Sequence, residues 1–102
     1  MQITKANKLP EAQYIEMLNV AKQLRSKITK LNKGLKTYRV YTEARKGGLR
    51  SKMELGKNKV NIDAIQKLAN KTYPHLDIQI KRHDSKWAWS NSGVCIFIKV
   101  KN

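Results

Sequence analysis

Seven acidic residues, two prolines, one phenylalanine and a single cysteine in 102 residues set the first limits on this chain. One cysteine, Cys95, excludes an intramolecular disulfide and any zinc site built on several thiolates. Within VCIFIKV it reads as a small hydrophobe on a strand. No apolar run approaches the roughly 18 residues of a membrane helix, and MQITKANKLP lacks the apolar centre of a signal peptide. The expected location is therefore the cytoplasm, that of the host if the chain is phage-encoded, with no membrane partner. A P-loop, a zinc pattern and a carboxylate pair suited to a metal are all missing, so neither cofactor nor metal is expected.

The shortage of acid is also the strongest positive signal. Twenty-two basic residues oppose seven acidic ones, giving a net charge of +15. A phosphate backbone explains such a surplus better than charge kept for solubility, because self-repulsion of this size destabilises a small fold. Nucleic acid, RNA or DNA, is the expected partner. Residues 22–59 hold thirteen basic residues against Glu43 and Glu54, which is +11 of the total. Lysine outnumbers arginine 17 to 5. A lysine is a mobile point charge and an arginine a rigid fork for base edges, so backbone contact is favoured over sequence reading. Frequent Lys, Asn and Ile suggest an AT-rich genome, a bacterium or its bacteriophage.

Forty per cent hydrophobic residues suffice for one modest core. The chain reads as one basic α+β domain over 1–102, with residues 1–8 a flexible N-terminus. PEAQYIEMLNVAKQLRSKITKLNKG predicts a first helix, with Pro10 at its first position and Gly34 as its C-terminal cap. Met17, Ala21, Leu24, Ile28 and Leu31 form one apolar stripe, read as a core face. TYRVYTEARKGGLRSKMEL predicts a hairpin turning at Gly47–Gly48, with Glu43 opposite Lys52, Thr42 opposite Met53 and Val40 opposite Leu55. GKNKV is a turn, and NIDAIQKLANKTYP is a second helix capped by Asn61 and burying Ile62, Ile65, Leu68 and Ala69. LDIQIKR and VCIFIKVK alternate as two more strands, and the segment around Trp87–Trp89 is either a loop or a short fifth strand. The order α-β-β-α-β-β predicts an antiparallel sheet of four or five strands with both helices on one face.

Covering one face leaves Arg39, Tyr41, Arg45, Arg50, Lys52, Lys81, Phe97 and Lys99 on the other. Rings there can stack unpaired bases while the cations hold phosphates; burial beneath a loop or a dimer partner is the alternative. Lys22, Arg25, Lys30 and Lys33 on the first helix, Lys46 at the hairpin turn and Lys86 beside the tryptophans complete the candidate nucleic-acid-binding set. In an extended segment Trp87 and Trp89 point the same way; Trp89, nearer the turn, is the stacking candidate and at least one of the two is structural. Charge reversal of Arg50 and Lys52 is expected to weaken binding more than reversal of Lys5 and Lys8, while sparing the fold. His75 and His83, with Lys81, are the candidate catalytic residues of a small metal-independent ribonuclease. Three functions follow: a non-enzymatic nucleic-acid-binding protein, RNA favoured over DNA; a phage-type inhibitor or adaptor of a larger nucleoprotein complex; and that ribonuclease. Oligomeric state is open, a homodimer included.

Overall fold

The structure, a computed structural model, describes residues 9–101. The terminus expected to be flexible, residues 1–8, lies outside them. The described residues form α1 (Glu11–Leu31), β1 (Arg39–Arg45), β2 (Gly48–Glu54), α2 (Asp63–Thr72), β3 (Leu76–His83) and β4 (Gly93–Val100). The tryptophan segment contributes no fifth strand: it is a loop with one 3-10 turn, Trp89–Asn91. The sheet order is β1-β2-β4-β3 with every neighbouring pair antiparallel, as expected for an α+β fold of this element order. Among the described residues no helix is long and apolar enough to cross a membrane.

The apolar stripe of α1 packs as its spacing requires, with one exception. Met17, Ala21, Leu24 and Ile28 are buried and are joined by Tyr14 and Val20, but Leu31 is 55 % exposed because the helix ends there. The end is made by Asn32, whose backbone and side-chain N–H groups both donate to the Ile28 carbonyl. Gly34 lies beyond, in the following turn, and Pro10 occupies the cap instead of the first helical position. The stripe meets Leu49, Met53, Val94, Ile96 and Ile98 on the inner face of β2 and β4. Full burial of side chains of this size contributes about 1.5–3 kcal/mol each.

Helix α2 buries Ile65 and Ala69, with Ile62 half-buried against the same core; Leu68, expected to be buried with them, is only half-buried. Asn61 caps weakly, its Oδ1 accepting from the Ala64 N–H at 3.4 Å. Gln66 does something the periodicity does not show. Its amide nitrogen donates to the Ile78 carbonyl at 2.8 Å, and its oxygen accepts from the Ile80 N–H at 2.8 Å. One side chain thus pairs with the free edge of β3 as a neighbouring strand would. Among the described residues no strand or side chain pairs with the outer edge of β1, which carries Arg39, Glu43 and Arg45, charges that discourage strand addition.

The hairpin register differs from expectation by two residues. Glu43 pairs with Arg50, Thr42 with Ser51 and Val40 with Met53, so the turn is Lys46–Gly47. Of the two hairpin glycines, Gly47 has a positive φ, +77°, and Gly48 does not. Gly48 is needed in the strand: a Cβ there would collide with the Ile98 carbonyl of β4. A slip of two preserves the side-chain alternation, so every residue keeps its expected face.

Candidate nucleic-acid interface

The register lays the open face out as a lattice of strand positions. Across β1, β2, β4 and β3, one row runs Arg45, Gly48, Lys99, Asp77, and the next Glu43, Arg50, Phe97, Gln79. The third runs Tyr41, Lys52, Cys95, Lys81, and the last Arg39, Glu54, Gly93, His83. All eight sheet residues expected on this face are there. Their charges, however, are largely engaged. Glu43 Oε1 accepts from Arg45 at 2.7 Å and from Arg50 at 2.8 Å, and hydrogen bonding to Arg45 and then Arg50 holds its carboxyl below the usual range. Arg39 and Arg50 both lie near the Tyr41 ring, 5.2 and 5.8 Å from its centroid. Lys99 pairs with Asp77 at 3.8 Å.

Lys52, Cys95 and Glu54 are buried even on this face. At 4 % exposure Lys52 has no room to receive a ligand, and a carboxylate there would be a buried anion. Reversal of Lys52 therefore threatens the fold, contrary to the expectation, and the comparison residues Lys5 and Lys8 lie outside the described ones. What the face does offer is a hollow of about 350 Å³ near the hairpin turn, whose lining includes Lys46, Gln79, Lys81, Phe97 and Lys99. The Lys81 ammonium stands 6.0 Å from the Phe97 ring.

The helix cations are elsewhere. Helix α1 packs on the covered face, so exposed Lys22 and Lys30 lie across the sheet from the open face, whereas Lys33, expected on the helix, falls past its end at Leu31 in the following loop. Arg25 turns inward and is half-buried, donating to Ser51 Oγ at 2.5 Å, beside Thr42, which donates to the same oxygen. Burial lowers its pKa. The hairpin and helix cations therefore do not form one continuous surface.

A third group of cations comes together only in the folded chain. The loops 32–38, 55–62 and 84–92 all leave the sheet at the same end, because β1 and β4 begin there while β2 and β3 finish there. The Asn61 N–H donates to Asn32 Oδ1 at 3.0 Å, and the Leu55 and Gly56 N–H groups both donate to the Ser92 carbonyl at 2.9 Å. Arg82 donates to the carbonyls of Gly56 at 2.7 Å and Asn58 at 2.9 Å. These three loops expose Lys33, Lys36, Lys57, Lys59 and Lys86 against one acid, Asp84, which Arg82 already holds at 2.9 Å. Among the described residues none of the five lysines forms an ion pair.

The same end gathers three aromatic residues. The Trp89 ring lies where a side chain on Gly56 would be, and it meets Tyr38 edge to face at 5.3 Å. Lys36 is 5.4 Å from the Tyr38 ring. Trp89, the stacking candidate of the sequence, is thus partly engaged in packing although 46 % exposed, whereas Trp87 is 94 % exposed. The turn that begins at Trp89 sends the two indoles to different environments. Sequence reading left out Lys36, Tyr38, Lys57, Lys59, Arg82 and Trp87. The signal available was the element order itself, since an antiparallel sheet in this order places those three connections at one end.

The structure does not bring the histidines together. His75 precedes β3, with Nε2 3.5 Å from Glu16, and His83 closes the same strand. At about 3.3 Å per residue they are roughly 25 Å apart. Lys81 shares the open face with His83 but lies beside Phe97, far from His75. No protein-family model, curated protein or solved structure matches the chain.

Proposed function

We propose that this protein is a non-enzymatic nucleic-acid-binding protein, favouring RNA over DNA and acting in the cytoplasm, that sequesters, coats or blocks its target. The observation that carries this is the meeting of five exposed lysines on three loops around a single, already paired acid. Cations held close together in a folded framework repel one another, and a polyanion relieves that repulsion while releasing counterions. RNA is favoured because rings lie among the lysines, and unstacked bases of RNA are the usual partners of exposed rings.

The test is affinity measured against salt. The unmodified protein should bind RNA with log affinity falling linearly in log salt, and Lys57→Ala with Lys59→Ala should lower the slope by about one unit per phosphate contact removed. Affinity absent at low salt, or indifferent to salt, sinks the reading. A second reading, an adaptor or inhibitor that docks on a nucleoprotein complex, draws on the outer β1 edge, which pairs with no strand among the described residues and where Val40 is 43 % exposed. A stoichiometric protein partner surviving nuclease treatment in a pull-down supports it, and loss of all partners opposes it.

A further inference from the structure

Of the two tryptophans, only one contributes to packing. Trp89 fills the space over Gly56 and braces Tyr38. Trp87 stays 94 % exposed, so the fold gains almost nothing from one of its two largest side chains. Nor does the ring stand on a slack tether. Ser85 Oγ accepts from the N–H groups of Trp87 at 3.2 Å and Ala88 at 3.3 Å, and Ser92 Oγ accepts from the Ser85 N–H at 2.9 Å. A shallow groove of about 650 Å³ opens at the same end of the sheet, lined by Lys57, Asn58, Lys59, Val60, Arg82 and Asp84, the last of these three residues before Trp87 on the same loop. A presented ring on a loop that borders a cationic groove suits a ligand that is anionic along its length and offers flat apolar faces.

We infer that the loop end takes single-stranded nucleic acid, with an unpaired base stacked on Trp87 and the neighbouring phosphates held by Lys57 and Lys59. The inference rests on the nucleic-acid reading and names the form of nucleic acid. In a duplex the base faces are occupied by their own neighbours, so a ring standing free gains nothing without unstacking them; in a single strand every base has a face to offer. An anionic membrane would also welcome an indole beside lysines, but insertion needs a broad apolar face. Here the indole is preceded by exposed Lys86, and beyond Ala88 and the Trp89 that packs on Gly56 come exposed Ser90 and Asn91.

The experiment compares oligouridylate with a blunt RNA duplex of equal length, at one salt concentration, using the full chain. Trp87→Ala should weaken oligouridylate binding on the order of tenfold and leave duplex affinity unchanged, and Trp87→Phe should restore most of the loss. In a Trp89→Phe background Trp87 is the only indole, and oligouridylate should quench its emission. Circular dichroism confirms that each variant is folded. If Trp87→Ala changes neither affinity, or lowers both equally, the stacking inference is overturned while the nucleic-acid reading stands. If the unmodified protein binds neither RNA in a salt-dependent way, both are overturned. A shift of Trp87 emission with vesicles of equimolar phosphatidylcholine and phosphatidylserine, and none with oligouridylate, overturns it in favour of a membrane surface.

Discussion

Gln66 shows how much one polar side chain can decide. Its two hydrogen bonds to Ile78 and Ile80 satisfy an edge that would otherwise face a helix with no partner. Removing the amide leaves a donor and an acceptor partly shielded from water, a cost larger than the hydrogen bonds themselves. Gln66→Ala is expected to lower stability by about 1–2 kcal/mol in urea titration. Gln66→Glu keeps the acceptor for Ile80 but sets a carboxylate against the Ile78 carbonyl, and should be no better tolerated. If Gln66→Ala unfolds at the urea concentration of the unmodified protein, the edge is not closed by this residue. Neither outcome could be anticipated from sequence, where Gln66 is one more polar position on a helix.

At the scale of elements, the hairpin shows why faces are easier to read than register. Alternation over β1 and β2 assigns each residue to a face whatever the pairing, since any slip by two preserves it. The turn itself depends on which glycine needs the positive φ, and two adjacent glycines leave that undecided. Contact with β4, a strand nearly fifty residues away, settles it by requiring the second glycine in the sheet. Gly48→Ala should therefore cost about 1–3 kcal/mol, as overpacking does, although alanine suits a strand no worse than glycine. Thermal unfolding measures this. A neutral result would mean that β2 and β4 can separate locally to admit the methyl group.

The whole molecule carries its +15 unevenly, with the open sheet face partly neutralised by Glu43 and Asp77 and the loop end not neutralised. Self-repulsion and polyanion binding arise from the same charges but respond oppositely to salt. Raising ionic strength from about 0.01 to 1 M shortens the screening length from about 30 to about 3 Å. The midpoint of thermal unfolding should rise over that range while affinity for RNA falls. A midpoint that falls with salt would show that pairs such as Arg50–Glu43 outweigh the repulsion.

Composition and periodicity by themselves determined the charge, the element order, the layered α+β architecture and the face of each strand residue, because those follow from local spacing and from counting. The core stripe of α1 was legible for the same reason, up to Leu31, where the helix ends. What the tertiary structure alone decided was which cations stand together and which tryptophan is free. Lys36, Lys57 and Lys86 are separated by twenty or more residues, and only the strand directions bring their loops to one end. Alternation placed Lys52 correctly on the open face but says nothing about how closely its neighbours crowd around it. In an extended chain Trp87 and Trp89 point the same way and proximity to the turn favours Trp89 for stacking; the 3-10 turn that starts at Trp89, and the space above Gly56, reverse this by making Trp89 packing and leaving Trp87 exposed. Spacing along a chain encodes which side a residue faces, whereas exposure depends on what the rest of the chain brings near it.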